Sequence, residues 1–125
     1  MTPRVARIDH IQIAAPAGCE AAAREFYGAL LGMTEIEKPP LLRARGGVWF
    51  SCGAQQVHIG VERNFAPAKK AHPAFAVADP DELRKALAAR GVATIDDDAI
   101  PGTRRLYAED PWGNRIEFVE IDKEF

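Results

Sequence analysis

The chain has 125 residues, enough for one domain of common size, and its hydrophobic fraction of 47% is ordinary for a packed globular protein. A formal net charge of −2 at pH 7, with no cluster of Lys and Arg, argues against a nucleic-acid-binding surface. No apolar stretch approaches the length that spans a bilayer, and residues 1–4 lack the order of a signal peptide, so we expect a cytoplasmic protein without membrane insertion. Cys19 and Cys52 form no CxxC pair, which predicts two reduced thiols.

The first half of the chain predicts a strand, a helix and three further strands. The helix depends on an apolar stripe that includes Phe26 and Leu30, and Gly32 is placed to end it. Gly46-Gly47 and Gly53-Ala54 mark turns between the later strands. The predicted elements are a strand over residues 5–14, a helix over 20–31, and strands over 33–37, 48–52 and 55–61.

The second half repeats this order after a predicted linker, Asn64 to Lys70. Its helix begins at Asp79, whose side chain can cap the first turn, and ends at Gly91. The turn sequence of residues 110–114 joins the last two strands. The predicted strands cover residues 71–77, 92–95, 105–109 and 114–121. The chain therefore reads as one domain, residues 1–125, built from two βαβββ modules at about 5–63 and 71–121.

Four strands each carry one metal-capable side chain opposite their apolar face. They are His10, His58, His72 and Glu117, which include all three histidines of the chain. His10 and His72 lie in the first strand of each half, and His58 and Glu117 in the last. Imidazole and carboxylate are common ligands of divalent transition metals. The pattern predicts a single metal-centred site on the inner face of a curved sheet.

Each of these residues also has a structural interpretation. A histidine in a strand is often a surface or packing residue, and His58 could be a pocket residue because three protein ligands are enough for a metal site. Glu117 could be a solvated carboxylate paired with Arg115 on the same face. If it is a ligand, Glu117 could also take a proton from substrate as the catalytic base.

Three further side chains are candidates for a substrate pocket. Trp49 and Tyr107 could form an aromatic wall, although core packing explains them equally well. Arg104 and Arg105, after the Pro101-Gly102 turn, could attract an anionic group, although solvated surface arginines are the alternative. The acidic run of residues 96–98 lacks calcium-loop spacing and predicts an exposed loop.

Three segments resemble the vicinal oxygen chelate superfamily, the glyoxalase, bleomycin-resistance and dioxygenase group. They are Ile8–Ile13, Phe26–Met33 and Asp110–Phe118, the last with the Asp-Pro-x-Gly-Asn turn before the final carboxylate. The resemblance covers roughly residues 7–121. It implies an α+β fold of two tandem βαβββ modules, a curved mixed sheet around a central site, and often a homodimer. It also implies a divalent ion, which could be Zn, Ni, Mn, Fe or Co, and a small-molecule substrate with vicinal oxygens.

Carried over residue by residue, the resemblance implies His10, His72 and Glu117 as metal ligands. His58 stands where glyoxalase I has a glutamate, which argues against lactoylglutathione chemistry. The main hypothesis is a metal-dependent isomerase, lyase, thiol transferase or dioxygenase. The alternative is a metal-free drug-binding protein of the bleomycin-resistance type, and a third hypothesis is a structural or regulatory homodimer.

Overall fold

The computed structural model describes residues 2–121, and the chain divides into two compact units between Phe65 and Ala66. Each unit contains a helix and a four-stranded mixed sheet of its own. The predicted α+β fold of two tandem βαβββ modules is therefore confirmed. That the modules form one domain over residues 1–125 stays a prediction. Within the described residues, no helix combines the length and apolar character needed to cross a membrane.

In the first unit the closing strand pairs with the opening one. The elements are β1 His10–Ala15, α1 Glu20–Ala23 continued by a π-helical segment Arg24–Leu30, β2 Thr34–Ile36, α2 Pro40–Arg43, β3 Val48–Cys52 and β4 Gln55–Val61. The sheet order is β1-β4-β3-β2, with β1 parallel to β4 and the other pairs antiparallel. One face of this sheet is apolar and packs on the helix, where Tyr27 lies against Phe50 with ring centroids 6.2 Å apart. The polar residues of β1, β3 and β4 are left on the other face.

A glycine at the start of β3 allows the chain to pass close to β4. Gly47 has φ +89°, and a Cβ at this position would clash with the carbonyl oxygen of Ile59. The Gly47 N–H donates to Glu20 Oε2 at 2.7 Å. This hydrogen bond lowers the pKa of the Glu20 carboxyl and ties the strand to the first turn of α1.

The second unit repeats this topology. Its elements are β5 Ala74–Val77, α3 Pro80–Ala89, β6 Ile95–Asp97, β7 Arg105–Glu109 and β8 Arg115–Glu120, in the sheet order β5-β8-β7-β6 with β5 parallel to β8. Asp79 caps α3 as predicted, since its Oδ1 accepts from the Glu82 N–H at 3.1 Å. In the turn before β8, Asp110 Oδ1 accepts from the N–H groups of Trp112 and Asn114. This turn fixes the register of β7 against β8.

Three strands begin several residues later than predicted, among them the fifth, which begins at Ala74 and not at residue 71. The first strand begins at His10 and not near residue 5. Val5 and Ile8 are exposed, so no burial of their apolar side chains stabilises a strand there. The sixth strand covers Ile95–Asp97 instead of 92–95, which places part of the acidic run in a strand. The charge of Asp97 is compensated in this strand, because its carboxylate lies 3.7 Å from Arg105 Nη1. The short helix α2 was not predicted. Both cysteines are free thiols, as predicted, with Cys19 buried.

Candidate metal centre and pocket

Strand register in the second unit places four polar side chains on one face. Glu117 on β8 stands between Tyr107 on β7 and Ala74 on β5. Arg105 is two residues from Tyr107, and His72 is two residues before Ala74, so both belong to the same face by strand alternation. The opposite face carries buried Leu106, Ile116 and Phe118.

Glu117 is the centre of this cluster. Its side chain is 9% exposed. Oε2 accepts from Arg105 Nε at 2.9 Å, and Oε1 accepts from the Tyr107 hydroxyl at 3.1 Å and lies 2.9 Å from His72 Nε2. Arg105 Nη2 also donates to the Tyr107 oxygen at 2.7 Å, which leaves the hydroxyl proton for Glu117. Both carboxylate oxygens are therefore held in fixed positions.

These contacts determine the ionisation of Glu117. Burial alone raises the pKa of its carboxyl, but hydrogen bonds from Arg105, His72 and Tyr107 outweigh burial, so that the pKa is lowered. Glu117 is accordingly a carboxylate at neutral pH, the form that binds a metal ion.

The His72 ring is oriented by a backbone carbonyl. Its Nδ1 lies 2.8 Å from the Lys70 oxygen, which can only accept, so we assign the proton to Nδ1. In a neutral ring the Nε2 lone pair then faces Glu117 Oε1, another acceptor. Such a contact is favourable only with a positive charge, a second ring proton or a metal ion, at Nε2. A carbonyl that fixes the tautomer of a histidine is also a frequent feature around metal ligands.

The donor set of this pair fits a divalent metal. Nε2 and Oε1 are 2.9 Å apart, which is close to the spacing of about 3.0 Å between adjacent ligands at 90° around an ion with metal–ligand distances of about 2.1 Å. Among residues 2–121 no group of three or more His, Cys, Asp and Glu side chains is arranged to hold an ion. The pair thus offers two ligands.

In the first unit, the predicted site residues form a stack of three rings. Trp49 lies flat on His58 with centroids 3.7 Å apart and planes at 2°, and His10 covers the other face of His58 at 4.2 Å and 16°. His58 is buried, and its Nε2 lies 2.8 Å from Gln56 Oε1. Burial lowers the pKa of His58, and the neighbouring His10 lowers it further. His58 is therefore held neutral inside the stack.

Stacking limits what His10 and His58 can bind together. A ring-nitrogen lone pair lies in the plane of its imidazole, and two nearly parallel planes about 4 Å apart share no nearby point. As arranged here, the two rings do not direct lone pairs at one ion. His10 also has its Nδ1 3.0 Å from Asp9 Oδ2, and its side chain is 45% exposed.

Comparison with known proteins identifies the family. The model of the Glyoxalase/Bleomycin resistance protein/Dioxygenase superfamily matches residues 7–118. The chain belongs to this superfamily. A comparison with curated proteins gave no match.

Solved structures of the superfamily share this fold. A protein from Bacillus anthracis, assigned to the glyoxalase family, is 55% identical, with a TM-score of 0.92 over 98% of this chain and 100% of its own. The lactoylglutathione lyase of Agrobacterium tumefaciens is 23% identical, with a TM-score of 0.73 over 94% of this chain and 96% of its own. A genomically encoded fosfomycin resistance protein of Listeria monocytogenes is 18% identical, with a TM-score of 0.74 over 96% and 97%. At such identities the last two show the fold alone.

The sequence does not predict the contacts of Arg105. It allows a contact for an anionic group or a surface arginine at this position, yet the side chain is only 13% exposed and donates to both Glu117 and Tyr107. Register could have revealed it, since the turn at 110–114 aligns Tyr107 with Glu117 and leaves Arg105 on the same face. Arg104 points elsewhere and donates through both Nη atoms to Asp81 at 2.9 and 2.7 Å. The predicted partner Arg115 lies over the Tyr107 ring instead.

The second unit also contains a cavity of about 570 Å³, for which Tyr107 forms part of the wall. This volume is typical of small-molecule sites, which span roughly 300–1,000 Å³. Tyr107 thus connects the Glu117 cluster with a space large enough for a ligand.

Proposed function

We propose that this superfamily member is a metal-dependent enzyme that acts on a small molecule with two adjacent oxygens. The reaction type is that of an isomerase, lyase, thiol transferase or dioxygenase. The observation that carries the proposal is the His72–Glu117 pair, in which Nε2 and Oε1 lie 2.9 Å apart while the Lys70 carbonyl holds the proton on Nδ1. A divalent ion would take the place of the second ring proton that this contact otherwise needs.

The ligands in this proposal are His72 Nε2 and Glu117, together with His10 as the superfamily resemblance implies. A divalent ion, when bound, supplies Lewis-acid polarisation of substrate oxygens. Arg105 keeps Glu117 ionised and fixed, and Glu117 is the proposed acceptor of a substrate proton. The Tyr107 hydroxyl, polarised by Arg105 Nη2, would turn its single proton from Glu117 to a substrate oxygen beside it.

Elemental analysis tests the ligand assignment. Chelator-treated protein is reconstituted separately with Mn, Fe, Co, Ni and Zn, and we expect about one ion per chain for at least one metal. His72→Ala and Glu117→Gln should lose it, and His10→Ala tests the third ligand. Arg104→Met is the matched control, because the Arg104 guanidinium donates to Asp81, which is not one of the proposed ligands. Undiminished metal content in both His72→Ala and Glu117→Gln would contradict the assignment.

A metal-free ligand-binding role of the bleomycin-resistance type is the second candidate. The cavity of about 570 Å³ beside Tyr107 favours it, because it needs no ion to hold an apolar molecule. Ligand affinity that is identical with and without chelator, in a protein that takes up no metal, would establish this role in place of the enzyme. A structural or regulatory homodimer would show no saturable ligand binding. The homodimer itself stays a prediction, which light scattering on the purified protein tests.

A further inference from the structure

The cavity of the second unit has an apolar wall and a cationic edge. Val92, Ala93 and Ile95 provide aliphatic surface, and the Tyr107 ring provides aromatic surface. Lys69 and Arg115 bring two positive charges to the same space. Such a lining fits a molecule with an apolar body and one charged group.

Only one of the two cations remains available. Lys69 Nζ lies 3.2 Å from Glu109 Oε1 and donates to the Gly113 oxygen at 2.6 Å, so its charge is compensated locally. Arg115 has its Cζ 4.1 Å from the centroid of the Tyr107 ring. In the part of the chain that the structure describes, no carboxylate forms an ion pair with it.

The acidic residues of the lining are already committed to other contacts. Glu109 is the partner of Lys69. Asp110 accepts hydrogen bonds from the N–H of Trp112 and from both nitrogens of Asn114, and it stabilises the turn before β8. The cavity therefore contains one guanidinium whose N–H groups lack an anionic partner.

We propose that Arg115 binds the carboxylate of a small molecule whose apolar body fills this cavity. A guanidinium binds a carboxylate through two parallel N–H···O bonds, and a position over an aromatic ring leaves the N–H groups at its edge available. The lining carries two positive side chains, Lys69 and Arg115, and two negative ones, Glu109 and Asp110, so a single added negative charge is better tolerated than the two of a phosphate monoester.

This subsite deepens the proposed function, on which its catalytic meaning rests. Arg115 and Glu117 are two residues apart on β8 and share a face, so their Cα atoms are about 7 Å apart. Tyr107 spans this interval, with its ring under Arg115 and its hydroxyl on Glu117. The substrate class is thus a monocarboxylate whose reacting oxygens lie a few bonds from the acid group.

Binding of a matched pair of probes tests the subsite without metal. We would titrate chelator-treated protein with 3-phenylpropanoate and with its neutral isostere 3-phenylpropanamide, and measure binding by ligand-observed NMR. The native protein should bind the carboxylate more tightly than the amide. Arg115→Met should weaken the carboxylate about tenfold to a hundredfold and leave the amide unchanged, because only the charged hydrogen bonds are lost. Arg115→Lys should recover part of the difference, and Arg104→Met should change neither probe.

Equal affinity for the two probes in the native protein would overturn the proposal, as would carboxylate binding weaker than about 10 mM. An unchanged carboxylate affinity in Arg115→Met would also overturn it. The amide probe and a thermal melt report whether Arg115→Met is folded. The two proposals fail separately, since Arg115→Met should keep native metal content whereas His72→Ala should lose metal and still bind the carboxylate.

Discussion

Two consecutive arginines provide a direct test of how burial determines the value of an ion pair. Arg105 pairs with Glu117 where the two side chains are 13% and 9% exposed, and Arg104 pairs with Asp81 where they are 43% and 57% exposed. We expect Arg105→Met to lower the free energy of unfolding by about 2–3 kcal/mol. Arg104→Met should lower it by less than about 1 kcal/mol, even though its pair has two hydrogen bonds.

The larger magnitude follows from what Arg105→Met leaves behind. Among the described residues Arg105 Nε is the donor to Glu117 Oε2, so this oxygen loses its donor, and the Tyr107 oxygen loses the Nη2 donor, in a buried site. Removing one member of a buried pair costs about 3–5 kcal/mol. Here His72 and Tyr107 still contact Oε1, so we expect the loss in free energy of unfolding to lie at or below the lower end of that range. Methionine retains most of the apolar stem, so little packing is lost.

The assay is urea unfolding of chelator-treated protein, with Glu117→Gln completing a double-mutant cycle. We expect a coupling energy of at least about 1.5 kcal/mol between Arg105 and Glu117, and about 0.5 kcal/mol or less between Arg104 and Asp81→Asn. Equal small effects at both arginines, or a coupling below about 0.5 kcal/mol for the buried pair, would refute the reasoning from burial.

Two further predictions concern the first unit. Gly47→Ala should lower the melting temperature far more than Gly53→Ala, because both have positive φ but only Gly47 would clash, with a carbonyl of β4; equal losses would contradict this. Burial lowers the pKa of His58 below its ordinary value of 6.5. As the pH falls below about 6.5, His58 is therefore protonated in the unfolded chain while it stays neutral in the folded one, and the free energy of unfolding should fall. His58→Gln should flatten this part of the profile in urea unfolding at pH 5.5 and 7.5, whereas an unchanged slope would assign it to other groups.

Strand bounds were predictable where alternation is closed by turns. The bounds of β3, β4 and β7 match the predictions residue for residue, since Gly47 precedes β3, the Gly53-Ala54 turn separates β3 from β4, and Asp110-Pro111 follows β7. The sixth strand was misplaced because β6 is an edge strand with two aspartates, which sequence propensity disfavours. Backbone pairing with β7 and the proximity of Arg105 to Asp97 override that preference.

For the site, the sequence predicted faces but not orientations. Alternation placed His72 and Glu117 on a common side, and the parallel pairing of β5 with β8 brings them to 2.9 Å. The stack of Trp49, His58 and His10 depends on ring rotamers across three neighbouring strands, which no pattern of residue types specifies. The contact of Arg105 with Glu117 was not predicted for a related reason, because an arginine in a strand gives no sequence signal of burial without a known register.

The parallel pairing within each unit has a consequence for how the chain is made. His10 pairs with Gln56 and Ala74 with Glu117, so each sheet is closed by joining the two ends of its own module. The hairpin of β3 and β4 needs only a short turn. β1 cannot pair until β4 has been synthesised, and closing so long a segment costs entropy, which slows this step. Each module therefore finishes folding at its last strand. In the second module that is the strand with Glu117, so the sheet and the His72–Glu117 contact are completed in the same step.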